Sequence, residues 1–121
     1  MPIFDIEVVR RAGEAVAPGL ASRLANALGE ALGAAPGKVW VRLRSLAPEA
    51  YAENGEGDGR ASPVFVTMTA SAPPEGEALD RLVAQVTQVV AGLAGRPAEN
   101  VHVLLQPAAK GRIAFGGKVV K

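Results

Sequence analysis

Pro2-Ile3-Phe4-Asp5-Ile6-Glu7-Val8-Val9 is an extended run with Phe4, Ile6 and Val8 on one face and Asp5 and Glu7 on the other. That two-residue period is the pattern of a half-buried strand. The same kind of unit starts again at Ser62-Pro63-Val64-Phe65-Val66-Thr67-Met68. The segments downstream of the two runs are also alike. After the first, a helix is expected over residues 18–32: Pro18 suits its first turn, Leu20, Leu24, Leu28 and Leu32 recur every four residues, and Arg23, Asn26 and Glu30 mark the opposite face. Gly33 stops it, and residues 38–46 return to alternation, with Val39, Val41 and Leu43 inward and Trp40, Arg42 and Arg44 outward. In the second half the pattern gives a strand at 63–70, a helix at 77–93 and a strand at 100–106, whose Val101, Val103 and Leu105 face one way.

An offset of 62 positions, as from Val39 to Val101, overlays Leu20 on Leu82, Gly33 on Gly95, Val41 on Val103, Leu43 on Leu105, Ala52 on Ala114 and Gly55 on Gly117. This is the signature of an internal duplication. Each half reads as a βαβ unit, whose crossover is right-handed in nearly all known cases and leaves two parallel strands. The expected fold is α/β: two tandem βαβ repeats forming a four-stranded mixed sheet with two helices on one face. The expected organisation is a single domain over residues 1–121, with repeat 1 at 2–55, a linker at 56–62 and repeat 2 at 63–117. The stretch Ala52 to Ser62, with Gly55, Gly57 and Gly59 among acidic residues, reads as a flexible connection too polar to pack. It is no phosphate cradle, because Glu56 and Asp58 repel the anion such a loop must hold.

Composition excludes several function classes. A chain of 121 residues buries roughly two thirds of its unfolded surface, enough for one core without staples. With no cysteine and His102 as the sole histidine, disulfides, thiolate metal sites and multi-histidine sites are excluded, and no metal site is expected. A formal net charge of +1 gives no general pull on nucleic acid or anionic membrane, so neither is expected as a partner. Charged and amide side chains interrupt both helical runs, so no span of a bilayer is expected. Asp5 and Glu7 precede any basic residue, the reverse of a signal peptide, and Glu14 breaks the apolar core that Arg10-Arg11 would need in a twin-arginine signal. A cytoplasmic protein is expected.

Pro2 carries the chemistry of greatest interest. Removal of Met1 would leave a secondary amine at the start of a strand, and an α-amino group titrates around 8 rather than near a lysine's ~10.4. Burial lowers it further and supplies a neutral base near neutral pH. A retained methionine would turn that nitrogen into an amide, which is no base.

The start Pro2-Ile3-Phe4, the helix after it, Val39-Trp40-Val41 and the closing Gly111-Arg112-Ile113-Ala114-Phe115-Gly116-Gly117 resemble the tautomerase superfamily. That group includes 4-oxalocrotonate tautomerase, 5-carboxymethyl-2-hydroxymuconate isomerase and macrophage migration inhibitory factor. The resemblance spans nearly the whole chain in duplicated form and implies a homotrimer. It also implies an isomerase that needs no cofactor, with Pro2 as general base or acid moving a proton between carbon and oxygen of a small enol or keto acid.

Arginines would hold the substrate carboxylate and the developing enolate oxygen, since a guanidinium forks onto two oxygens. One comes after the first strand in short-chain relatives, where Arg10 and Arg11 lie nearby while the ungapped register places Ala12. A second lies in the strand after the helix, where Trp40 stands instead; Arg42 and Arg44 share its face further along. The aromatic wall before the glycine hairpin falls on Tyr51 in the first half and on Ile113 in the second. The resemblance thus nominates Arg11, Arg42, Tyr51 and Arg112 as substrate-binding residues around Pro2, with a small carboxylate as partner. Two other readings stay open: a noncatalytic oligomeric protein binding small ligands on the same scaffold, and a ferredoxin-like regulatory domain, whose βαββαβ order local patterns share. For the arginines, a solvated strand end or intersubunit ion pairs explain the same pattern.

Overall fold

The computed structural model describes residues 2–55 and 62–121. Four strands form one mixed sheet: β1 (Ile3–Val9), β2 (Trp40–Leu46), β3 (Val64–Thr69) and β4 (Val101–Leu105), in the spatial order β2-β1-β3-β4. β1 and β2 are parallel, β3 and β4 are parallel, and the two pairs join antiparallel through β1 and β3. Helix α1 (Leu20–Ala31) links the first pair and α2 (Gly76–Ala94) the second. Each helix therefore connects neighbouring strands. A ferredoxin-like sheet splits its βαβ units by a strand inserted between the parallel pair, so this order excludes that alternative. The expected two-repeat α/β architecture is the one observed.

Both helices pack on one face of the sheet and on each other. Phe4, Ile6 and Val8 of β1 and Val64, Val66 and Met68 of β3 meet Leu20, Leu24 and Leu28 of α1 and Val86 and Val90 of α2 in one buried cluster. The offset of 62 maps Leu24 onto Val86, Leu28 onto Val90 and Val39 onto Val101, and every one of these is buried. The repeat is therefore a repeat of core positions, which is why the leucine spacing of one half predicts the packing of the other.

Four expectations need correction. Pro18 lies in a turn, and α1 begins after Gly19, whose φ of 78° is left-handed and ends any continuation of the helix toward Pro18. Leu105 follows the inward alternation of Val101 and Val103 but is not buried; it is 41% exposed, because it ends the edge strand β4. Ser62 is buried rather than part of a mobile connection, while the rest of the expected linker, residues 56–61, lies outside the described residues, as does Met1. The second unit also extends past residue 117: β5 (Ala114–Phe115) and β6 (Lys118–Val119) form a hairpin that Val120 closes by donating its N–H to Ile113 O at 2.9 Å.

The face opposite the helices carries three cross-sheet rows. Trp40, Ile3 and Thr69 form the first; Arg42, Asp5, Thr67 and Leu104 the second; Arg44, Glu7, Phe65 and His102 the third. Trp40 and Leu104 remain 42% and 49% exposed.

Candidate active site

The antiparallel register of β1 and β3 decides what surrounds Pro2. Because Ile3 pairs with Thr69, the start of β1 lies against the end of β3 and against the segments that leave β3 and β4. Trp40 donates its backbone N–H to Pro2 O at 3.2 Å, which fixes the proline at the strand end. On the helix side Pro2 lines a cleft of 280 Å³ with Leu32, Met68, Ala70, Pro73, Pro74 and Leu82. Among the described residues no charged side chain lines it. An amine there has apolar walls, which disfavour its charged form.

The C-terminal hairpin closes the same end of the molecule. Ala109 and Lys110 donate to Ala70 O and Ser71 O at 2.9 and 3.1 Å, so the chain after β4 runs beside the continuation of β3. The hairpin then brings Phe115 edge-on to Trp40, with ring centroids 5.2 Å apart at 90°, a favoured aromatic geometry. The Trp40 indole N–H donates to Gly37 O at 3.0 Å and holds the ring in place. Arg112 sits at the base of this hairpin, exposed, its N–H bonded to Ala109 O at 2.7 Å.

The five nominated residues do not converge within one chain. Pro2 and Arg112 share an end. Arg42 lies one row into the open face, where its Nε and Nη2 donate to Asp5 Oδ1 and Oδ2 at 2.5 and 2.9 Å. That fork saturates the carboxylate, and the bond from Arg42 holds Asp5 below the usual carboxylate range. Arg42 thus already has an anion.

Arg11 and Tyr51 lie at the far end of the sheet. Arg11 comes after β1, reaches Gly95 O with Nη2 at 3.4 Å, and is a strand length of roughly 25 Å from Pro2 at ~3.3 Å per residue. Tyr51 packs on Phe65 with centroids 6.0 Å apart, and Phe65 on His102 at 5.6 Å. Its hydroxyl donates to Glu53 Oε2 at 2.5 Å, and this bond to a carboxylate pushes the phenol up to about 12. The reason for the separation is topological: the antiparallel pairing of β1 and β3 puts the segment after each repeat's last strand beside the start of the other repeat.

Sequence reasoning missed Arg96, the principal polar element of the interior. Its guanidinium is fully buried. Nη1 and Nη2 fork onto Glu14 Oε2 and Oε1 at 3.0 and 2.6 Å, Nε donates to Ser62 O at 2.7 Å, and further bonds reach Val9 O at 2.8 Å and Ala94 O at 3.1 Å. The left-handed Gly95, φ 67°, ends α2 and turns Arg96 back under it. Glu14 also accepts from the Arg11 N–H at 2.9 Å. The bond from Arg96 dominates and lowers the Glu14 carboxyl to about 2. A signal was present in the sequence: by the offset, Arg96 stands where repeat 1 has Ala34, a charge replacing a methyl at an otherwise matched position. Among the described residues no group of three or more His, Asp or Glu is arranged to hold a metal ion, and no helix is long and apolar enough to cross a membrane.

Two βαβ units around a pseudo-twofold, with a proline at the strand end beside an apolar cleft, define a duplicated tautomerase-type scaffold. Residues 65–121 match the model of the Tautomerase family, described as tautomerase enzyme, and the chain as a whole has the fold of solved tautomerase structures. A fused 4-OT, wild type and solved as a symmetric trimer, aligns with a TM-score of 0.76 at 19% identity over 98% of this chain and 94% of its own. A macrophage migration inhibitory factor homologue from Prochlorococcus marinus aligns at 0.72 and 18% over 98% and 99%. A malonate semialdehyde decarboxylase inhibited by 3-bromopropiolate aligns at 0.69 and 20% over 94% and 88%. No curated protein sequence matches the chain.

Proposed function

We propose that the protein is a cofactor-independent tautomerase-type enzyme that moves a proton between oxygen and carbon of a small enol or keto acid, with Pro2 as the proton carrier. The observation that carries this reading is the position of Pro2 at the strand end, lining a 280 Å³ cleft without charged walls among the described residues. Freed of Met1, the neutral secondary amine takes the enol O–H proton while the C–O bond becomes C=O. The resulting ammonium returns a proton to the former alkene carbon, and the amine is neutral again. Arg112 holds the substrate carboxylate from the hairpin above. Arg42 contributes only where Asp5 yields it, and Arg11 and Tyr51 reach a Pro2 cleft only from another copy, as in a homotrimer.

Similar scaffolds support this chemistry. One neighbour, with a TM-score of 0.77, was inactivated by 2-oxo-3-pentynoate, and the decarboxylase above was inhibited by another small acetylenic acid. Here the test starts with intact mass of protein from its native source, expected to lack Met1. Conversion of phenylenolpyruvate to its keto form is then compared between the processed protein and Pro2→Ala. A large loss in the variant is expected. Retained methionine, or equal rates, would leave the noncatalytic binding protein as the reading.

A further inference from the structure

At the repeat offset the Pro2 cleft has a smaller counterpart. The 280 Å³ cleft at Pro2 is lined by Leu32, Ala70 and Leu82, and a second of 90 Å³ is lined by their counterparts at the offset of 62, Ala94, Val8 and Leu20. The second also has Glu14 in its wall. The offset places Val64 where the first cleft has Pro2, and its nitrogen lies within the chain as an amide and is no base. What differs most is the ion pair. At the offset of 62, Arg96 and Glu14 correspond to Ala34 and Gly76, so neither partner has a charged equivalent at the matching position of the other repeat.

Arg96 presents both terminal nitrogens to the Glu14 carboxylate, a planar bidentate fork. The Arg11 N–H adds a third donor to the same carboxylate. The remaining Arg96 donors are fixed by Val9, Ser62 and Ala94 carbonyls. This is a preorganised carboxylate receptor, with a buried cation, a backbone N–H and a guanidinium locked by other bonds. Its occupant comes from the chain itself, on the segment between Gly13 and Gly19, both left-handed at φ 76° and 78°.

We propose that the second cleft is a carboxylate-binding site occupied by the protein's own Glu14, a site that takes a small monocarboxylate once that side chain leaves. The proposal does not depend on catalysis by Pro2, since its readout is binding. It binds without turnover, because the cleft has no free amine.

Acetate is the probe. In Glu14→Ala, sodium acetate should raise the thermal midpoint saturably above the level reached in sodium chloride of equal ionic strength, and the wild type should show no such difference. Titration calorimetry should give one acetate site per chain in the variant. Adding Arg96→Met should abolish it. If Glu14→Ala does not fold, Glu14→Ser, which also vacates the carboxylate position, carries the same comparison. An equal response to acetate and chloride in the variant that folds, or a response that survives Arg96→Met, overturns the proposal.

Discussion

At the residue scale, the Arg96–Glu14 pair dominates the polar interior. Removing the carboxylate's partner with Arg96→Met leaves a partly exposed acid and several carbonyl acceptors without a donor, and breaking a buried pair in this way costs about 3–5 kcal/mol. Urea denaturation of the variant measures it. The pH dependence has a definite sign. Glu14 is held down to about 2 from an ordinary 4.5, so its stabilising contribution is present in full above about pH 4.5 and is lost as pH falls toward 2. The carboxylate is about a third exposed, which limits the amount to roughly 1–2 kcal/mol after solvent screening. Acid titration of the wild type against Glu14→Gln should show the difference shrinking over that range. The charge at position 96 was visible against Ala34 in the other repeat, but its pairing was not, because an arginine after a helix and a glutamate 82 positions away form no local pattern. The proposal for Pro2 could be framed from the sequence because its chemistry depends on position two of the chain rather than on a distant partner.

At the scale of elements, alternation and the four-residue leucine spacing located all four long strands and both helices. Those signals report burial against the element's own core, which local sequence determines. They failed where burial is decided by sheet order: Leu105 continues the inward alternation of β4 yet is exposed at an edge. The assignment of Arg11 and Tyr51 to the Pro2 cleft ran into the same limit, since which strand end meets which hairpin is set by the β1–β3 register and not by either repeat alone. The core equivalence makes a direct prediction. Leu28→Ala, at a position with no exposure in α1, should cost about 2–5 kcal/mol, whereas Leu105→Ser at the edge should stay within about 0.5 kcal/mol in the isolated chain. Denaturant midpoints at constant slope distinguish the two.

At the scale of the whole molecule, the helix-free face is the feature to explain. Trp40 and Leu104 stand on it beside the Asp5–Arg42 pair, and a sheet face that exposes large apolar side chains among paired charges is covered most simply by identical copies. Three times the chain mass is expected from multi-angle scattering at micromolar concentration; a monomer would remove the shared-site part of the proposed function. Leu105→Ser then gains a second use, because a variant silent in an isolated chain but costly in the assembly places β4 at a subunit boundary. The antiparallel join of β1 to β3 has one more consequence, and it concerns inheritance. In an assembly of single, unfused repeats every substitution appears in every site at once. Here each half is encoded separately, and each cleft draws its walls from both, so one codon change alters one cleft and leaves its twin untouched. A chain built this way can exchange a reactive group for a structural one at half of its sites while the other half keeps working.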